Sequence, residues 1–505
     1  MQLEEKNKQP FTMVIFGASG DLTKRKLMPA LYELFKDDRL NDDFAILGVG
    51  RSDYSNETYQ EYQHEQLLKF VNEEIKDEEL INRFVKHLHY VAMDSEKKED
   101  YDKLLKKLQG ITGEDHPSHL LFYLATPPSL YGKIPLYLKS VQLNQRDARI
   151  IVEKPFGYDL QSARELNAIY ASVFEEEQIY RIDHFLGKET AQNILAFRFA
   201  NYMFEPIWNR NYVDYVEVTA VESLGIEKRG GFYDGVGALR DMVQNHLIQL
   251  VALTAMEPPV HFDATSFRNE VVKVYDSLRP LTQEDFEEHI VRGQYISGGD
   301  KKGYREEDNV NPDSRTETYI AMKIGIENWR WSGVPFYIRT GKALPTKVTE
   351  IVVHFKKTPY QMFQFSDGES SVANKLIIRI QPNEGILLRF SMKKPGAGFK
   401  VKTVDMNFTY NQLANVPIAD AYARLLEDCI QGEQTLFTRS DAVESSWKFF
   451  DPVLKYWNEC ESAPLFGYPI GTWGPLESEA MMRDHSAEWT NPCKNLINTD
   501  QYCEL

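Results

Sequence analysis

Between Thr12 and Gly157 the chain alternates short β-branched or aromatic runs with longer stretches whose apolar residues recur at helical spacing. The runs "TMVIFG", "FAILGVG", "HYVAM", "LLFYLATPP" and "RIIVEKPFG" predict strands, and most are separated by amphipathic helical segments. Strands interleaved with helices predict an α/β domain with a mainly parallel sheet. The second half is patterned differently. "YVDYVEVTAVES", "TYIAMKIGI", "PFYIRTGK", "EIVVHF", "NKLIIRI", "GILLRFSM" and "VKTVDMNFTY" follow one another with few helices between them, which predicts an antiparallel sheet. Helices are expected before it, at Gly237 to Met256, and after it, at Pro417 to Gln431 and Ser440 to Asn458. The expectation is α/β plus α+β: one domain over residues 11–180 and a second, with a large mainly antiparallel sheet, over 181–490. The acidic stretch "GGDKKGYREEDN" is expected as an exposed loop.

Composition fits two sizeable cores: 505 residues, 42% hydrophobic and 26% charged. A formal net charge of −17 argues against nucleic-acid and anionic-membrane partners, which need an excess of Lys and Arg. Any anionic ligand then needs a local basic pocket. Cys429, Cys460, Cys493 and Cys503 show neither a disulfide framework nor metal-ligand spacing, so free thiols in a reducing compartment are expected. "MQLEEKNKQP" reads as no targeting peptide, and no apolar run approaches the roughly 18 residues of a membrane helix. The expected location is cytoplasmic.

The first strand runs into "FGASGDLTKRKLMPALYELF", a glycine turn and then a helix with Leu27, Leu31 and Leu34 at helical spacing. Gly17 and Gly20 allow a tight turn and close approach of a ligand, and a helix start attracts phosphate. A P-loop would need Gly-Lys-Ser/Thr here, and Gly20 is followed by Asp21. A plain βα turn remains the bland alternative. The second strand ends in Gly50, Arg51 and Ser52, where an NAD site usually carries an acid. A cation and a hydroxyl favour NADP, against an Arg that merely faces solvent.

Lys154 stands at the end of the fifth strand, in "EKPFG", placed to reach a substrate or nicotinamide; a cis Lys154–Pro155 bond would aim it. "QIYRIDHFLGKET" mixes Arg181, Asp183, His184 and Lys188 with apolar residues, too charged for a core strand and too apolar for a solvated face. In "GALRDMVQNHLIQLVAL", read as an α-helix, His246 shares a face with Met242, Gln249 and Leu253. It is either a satisfied core histidine or a base held by a carboxylate, with Asp183 the candidate holder.

These blocks, "GASGDLTKRK", "EKPFG", "RIDHFLGKE", "RDMVQNHL" and "FYIRTGKAL", stand in order over roughly residues 12 to 475, and with them the chain resembles the glucose-6-phosphate dehydrogenase family. The resemblance implies a Rossmann-like NADP-binding domain and a second α+β domain for substrate binding and for assembly into homodimers or homotetramers through its sheet. It implies oxidation of glucose 6-phosphate at C1 to 6-phosphogluconolactone, the first step of the oxidative pentose phosphate pathway, with NADP as coenzyme and no metal. His246 would be the general base, oriented by Asp183. His184 and Lys188 would hold the 6-phosphate, Glu222 and Asp241 would accept from sugar hydroxyls, and Lys342 and Lys347 would close the pocket. Lys154 would touch substrate and coenzyme. Gly17, Ala18, Ser19, Gly20, Asp21, Leu22, Thr23 and Lys24 would wrap the pyrophosphate. Arg51 would take the 2′-phosphate with Ser52 beside it, Tyr131 would flank the nicotinamide, and Asp94 and Ser95 would lie near the adenosine.

Each assignment has a plain alternative: a solvated Glu222, an Asp241 paired with Arg240, turn lysines beside Gly341. Two departures from the family pattern stand out. Phe185 replaces a common tyrosine, removing one donor worth about 1 kcal/mol to the phosphate. Val348 and Val352 occupy the strand that carries basic residues in members with a second, structural NADP site, which counts against such a site here. A different NADP-dependent sugar oxidoreductase and a catalytically silent NADP-binding scaffold are the rival readings. A scaffold needs no base, so the His246 and Asp183 pair speaks against it.

Overall fold

Thr12–Phe16 forms β1 with all five side chains buried, as suits a strand covered on both faces. Around it lie β2 (Ala45–Gly50), β3 (Leu88–Ala92), β4 (Leu120–Leu124), β5 (Arg149–Val152) and β6 (Ile179–Arg181). Their order is β3-β2-β1-β4-β5-β6 and every pairing is parallel. The strand order reverses between β1 and β4, and in an open α/β sheet the crevice beyond the carboxyl ends of such strands is where ligands bind. This is the parallel α/β sheet expected for the first half. The three-residue β6 is too short to stand out in the pattern.

The computed structural model describes residues 9–299, 301–365, 373–396, 398–410, 420–483 and 487–492. Two units divide the chain: Met1–Glu189 with Val260–Arg268 and Ile418–Glu444, and Thr190–Pro259 with Asn269–Pro417 and Ser445–Leu505. Neither is continuous in sequence, whereas a division into 11–180 and 181–490 would be.

The segment that returns to the first unit is fastened by buried polar contacts. Its helix, Ala421–Gln431, ends at Gly432 in the left-handed region (φ 80°), the usual helix stop. The Arg149 guanidinium, at the start of β5, donates to the last carbonyls of that helix, Cys429 and Ile430, both at 2.8 Å. Arg39 pairs with the buried Glu427. These contacts join positions hundreds of residues apart, which no local pattern reveals.

The second unit is built on ten strands: β7 (Val213–Val221), β8 (Ile290–Ile296), β9 (Tyr319–Gly325), β10 (Pro335–Gly341), β11 (Val348–Phe355), β12 (Gln364–Phe365), β13 (Lys375–Gln381), β14 (Gly385–Lys393), β15 (Lys400–Thr409) and β16 (Phe466–Pro469). They run in the order β12-β15-β14-β13-β11-β7-β10-β9-β8-β16. Pairings β7·β10, β12·β15 and β8·β16 are parallel and the rest antiparallel. The large, mainly antiparallel sheet is therefore present, with β8, β12 and β16 added to the expected strands. Val348 and Val352 are buried on β11.

Helix Ser440–Glu459 agrees with its pattern; the expected start of the preceding helix at Pro417 lies outside the described residues, as do Cys493 and Cys503. Cys429 and Cys460 are free thiols. The expected helix at Gly237 to Met256 differs in pitch. Leu239–Leu247 is π-helical and Ile248–Ala255 is α-helical. In the acidic stretch expected as an exposed loop, Tyr304 is buried and donates to Asp234 at 2.9 Å. Among the described residues no helix is long and apolar enough to cross a membrane.

Candidate active site

In the first unit, the turn after β1 is drawn tight by its own backbone. Gly17 has φ 88°, and a Cβ there would fall 2.2 Å from the carbonyl oxygen of Ala125 just beyond β4, so only glycine fits. The Gly17 and Ala18 N–H groups donate to Val49 O at 3.0 and 3.1 Å, Gly20 N–H donates to Gly17 O at 2.9 Å, and Lys24 N–H to Gly20 O at 3.2 Å. The buried Thr23 hydroxyl also donates to Gly17 O, at 2.9 Å. A π-helical turn, Thr23–Leu27, leads into helix Met28–Lys36. The result is a tight glycine turn leading into a helix, the kind of local geometry that suits a pyrophosphate. Ser19 and Leu22 belong to this turn, while the exposed Asp21 pairs with Lys24 at 3.3 Å and Arg25 at 2.8 Å.

Arg51 and Ser52 are exposed just beyond the end of β2. Behind them the Tyr90 hydroxyl donates to Ser52 O at 2.9 Å. Beyond β3, the Asp94 carboxylate accepts the Glu96 N–H at 3.1 Å, and Ser95 O accepts from Tyr101 at 3.1 Å. Both residues are thus engaged within their own loop. Tyr131 is buried just after β4, and burial, with Glu153 nearby, raises its hydroxyl pKa. Lys154 is half-buried beyond β5, and the Lys154–Pro155 bond is cis. The preceding Glu153 is buried, accepts from Tyr123 at 2.5 Å, and is held above the usual carboxylate range by burial.

The turn "IDHFLGK" follows β6. Asp183 is buried; its carboxylate accepts the Phe185 N–H at 2.9 Å, and its carbonyl accepts the Leu186 N–H at 3.0 Å. Burial raises its pKa against the pull of His184, the Phe185 N–H, Lys154 and Lys188. His184 is half-buried, its ring parallel to that of Tyr422. Lys188 sits over the Phe185 ring at 4.1 Å, a cation–π contact. Two residues of the motif turn out to be fasteners. The buried Arg181 pairs with Glu176 at 2.6 Å and donates to Asn167 at 3.2 Å and Thr438 O at 3.3 Å. Gly187 lets the turn abut helix Ala421–Gln431, since a Cβ would lie 2.6 Å from Ala421 O.

In the second unit, Glu222 stands just beyond β7 and Lys342 just beyond β10, and they pair at 2.5 Å. These strands are parallel neighbours, so both side chains emerge at one end of the sheet. Lys342 also lies 5.1 Å from the centre of the Tyr233 ring. They line a cavity of about 210 Å³ together with the exposed Lys347, Glu227 and Arg229. Asp241 is half-buried and His246 is 0% exposed, both on the π-helical segment. At about 3.6 residues per turn, positions five apart point about 140° away from each other. With i→i+5 bonding they fall on successive turns of one side. The Ile248 N–H reaching back to Val243 O is one such bond. The π pitch therefore brings Asp241 and His246 to a common face, which α-helical spacing does not foresee.

Two family descriptions match the chain: "Glucose-6-phosphate dehydrogenase, NAD binding domain" over residues 14–193 and "Glucose-6-phosphate dehydrogenase, C-terminal domain" over 195–490. The chain belongs to the glucose-6-phosphate dehydrogenase family. Among curated relatives, glucose-6-phosphate 1-dehydrogenase of Aggregatibacter actinomycetemcomitans is 52% identical over 95% of this chain and 97% of its own. The same enzyme of Treponema pallidum is 45% identical over 98% of each chain. A solved glucose-6-phosphate dehydrogenase in complex with its substrate glucose 6-phosphate superposes with a TM-score of 0.87, at 38% identity, over 95% of this chain and 98% of that one. The glycine turn and the "RIDHFLGKE" turn fall within the first matched range, and the Glu222–Lys342 pair within the second.

Proposed function

We propose that this chain oxidises glucose 6-phosphate at C1 to 6-phosphogluconolactone with NADP as coenzyme, residues 11–180 binding the coenzyme and 181–490 the sugar. The observation that carries this reading is the family match over residues 14–193 and 195–490. NADP, when bound, supplies the hydride acceptor. The turn Gly17–Lys24 holds its pyrophosphate, Arg51 and Ser52 its 2′-phosphate, Tyr131 and Lys154 flank the nicotinamide end, and Asp94 and Ser95 the adenosine.

His184 and Lys188 donate to the 6-phosphate, with Lys188 steadied by the Phe185 ring. The Glu222–Lys342 pair opens to sugar hydroxyls, Glu222 and Asp241 accepting and Lys342 and Lys347 donating. Lys154 contacts the sugar beside the coenzyme. His246 takes the proton of the C1 hydroxyl, and Asp183 orients the imidazole. The sugar ring oxygen stabilises the positive charge that builds at C1, so the enzyme needs only to remove a proton there. The working form is a cytoplasmic homodimer or homotetramer joined through the large sheet.

Absorbance at 340 nm with purified protein, NADP and glucose 6-phosphate tests the reading. Turnover that requires the phosphate is expected. Equal rates with unphosphorylated glucose, or no turnover, would overturn it.

A further inference from the structure

Glu317, a residue with no role assigned above, holds the start of the helix that carries His246. It lies just before β9 and is 5% exposed. Its Oε1 accepts the Leu239 N–H at 3.0 Å, and its carbonyl accepts the Ala238 N–H at 3.0 Å. Gly237 has φ 75°, and a Cβ there would lie 2.4 Å from Glu317 Oε1. Glycine is what admits the acid against the backbone. One residue further on, Thr318 O accepts the Lys342 N–H at 2.9 Å. A single pair of residues thus tethers both the start of the helix bearing the base and the backbone of the sugar-binding lysine.

A carboxylate suits this place because the first N–H groups of a helix lack partners and carry the positive end of its dipole. What it secures here is an uncommon pitch. Only with i→i+5 bonding do Asp241 and His246 share a side, and that bonding has to begin correctly at Leu239.

We propose that Glu317 is a positioning residue for the reaction, fixing the start and so the pitch of Leu239–Leu247. The inference rests on His246 acting as the base in the function proposed above. Three variants separate its parts. Glu317→Ala removes the acceptor, Glu317→Gln keeps an acceptor oxygen, and Gly237→Ala evicts the acid while leaving it in the chain. Steady-state kinetics and amide hydrogen exchange over residues 239–247 are measured on each, with NADP binding as the control.

Glu317→Ala and Gly237→Ala should lose at least about tenfold in kcat while the Kd for NADP stays within about twofold. Exchange over 239–247 should quicken in both. Glu317→Gln should stay within about threefold of wild type in kcat. A general loss of stability would instead weaken NADP binding and would not be rescued by the amide. Unchanged kcat or exchange in the alanine variants of an active enzyme overturns this inference alone. A wild-type protein that never turns over glucose 6-phosphate overturns the proposed function and this role with it. Should Glu317→Ala be insoluble, Gly237→Ala decides: normal kcat there overturns the inference.

Discussion

Gly187→Ala tests how tightly the turn after β6 is fastened. Gly187 lacks the positive φ that would demand glycine, so the added methyl acts by contact alone. It would fall 2.6 Å from Ala421 O and 2.9 Å from two side-chain carbons of Leu425. A carbon–oxygen contact relaxes at roughly 3.3 Å, so the turn and helix Ala421–Gln431 must separate by about 0.7 Å. Overpacking of this kind costs about 1–3 kcal/mol. The displaced turn carries Asp183, His184 and Lys188, and misplacing such groups by about 1 Å costs up to about 100-fold in rate. Differential scanning fluorimetry should show a lower melting temperature, and kcat/KM for glucose 6-phosphate should drop about tenfold or more. Gly110→Ala is the matched control. Gly110 lies within helix Tyr101–Thr112 with nothing within 4 Å of its Cβ position, so alanine there should stabilise by about 0.5–1 kcal/mol. If Gly187→Ala melts and works like wild type, the turn is not held by this contact and the reasoning fails.

Arg51→Ala should raise KM for NADP about tenfold or more through loss of a charge-assisted contact, and leave KM for NAD unchanged; equal effects on both coenzymes would remove Arg51 from the 2′-phosphate. A pH effect follows from the buried cluster that seats residues 488–491. Glu217 accepts the Thr490 N–H and hydroxyl, both at 2.9 Å, and bonds His354. Burial lowers the His354 pKa against the pull of the Glu217 carboxylate. Burial alone would raise Glu217, but His354, the Thr490 N–H and Arg339 outweigh it and hold the carboxyl below its usual range. Both folded-state pKa values are depressed, so the unfolded chain takes up protons first as pH falls. The cluster's contribution is whole above about pH 6.5, the unfolded histidine value. It is lost as pH falls through the folded values. The melting temperature should fall between pH 7.5 and 5.5, and less so in His354→Gln; an equal fall in both proteins would show that the cluster does not titrate in this range.

Much of the fold was legible because it rests on local pattern. Short apolar runs such as Thr12–Phe16 and valine-rich ones such as Val213–Val221 declare themselves as strands, and the glycine turn follows directly on β1. Contacts between distant positions were not legible. Nothing near Arg149 or Gly187 in sequence announces that residues 421–431 return to meet them. The helix at Gly237 to Met256 was read at 3.6 residues per turn, which grouped His246 with Met242 and Leu253. Its π pitch is set by backbone bonding that side-chain periodicity does not encode. Arg181, to which the sequence pattern assigns no role, is a buried fastener whose partners Glu176, Asn167 and Thr438 no local feature announces. Glu317 stood in "RTETY" with no local feature to mark it.

The central claim is that His246 accepts the substrate's proton, and His246→Asn measures it most directly. The amide keeps a polar group near the ring's Nδ1 position but is smaller than the imidazole and does not act as a base at neutral pH. Calorimetric titration should give Kd values for glucose 6-phosphate and NADP within a few-fold of wild type, with kcat lower by about 100-fold or more. A His246→Asn enzyme that binds both ligands and turns over at near the wild-type rate would contradict the account.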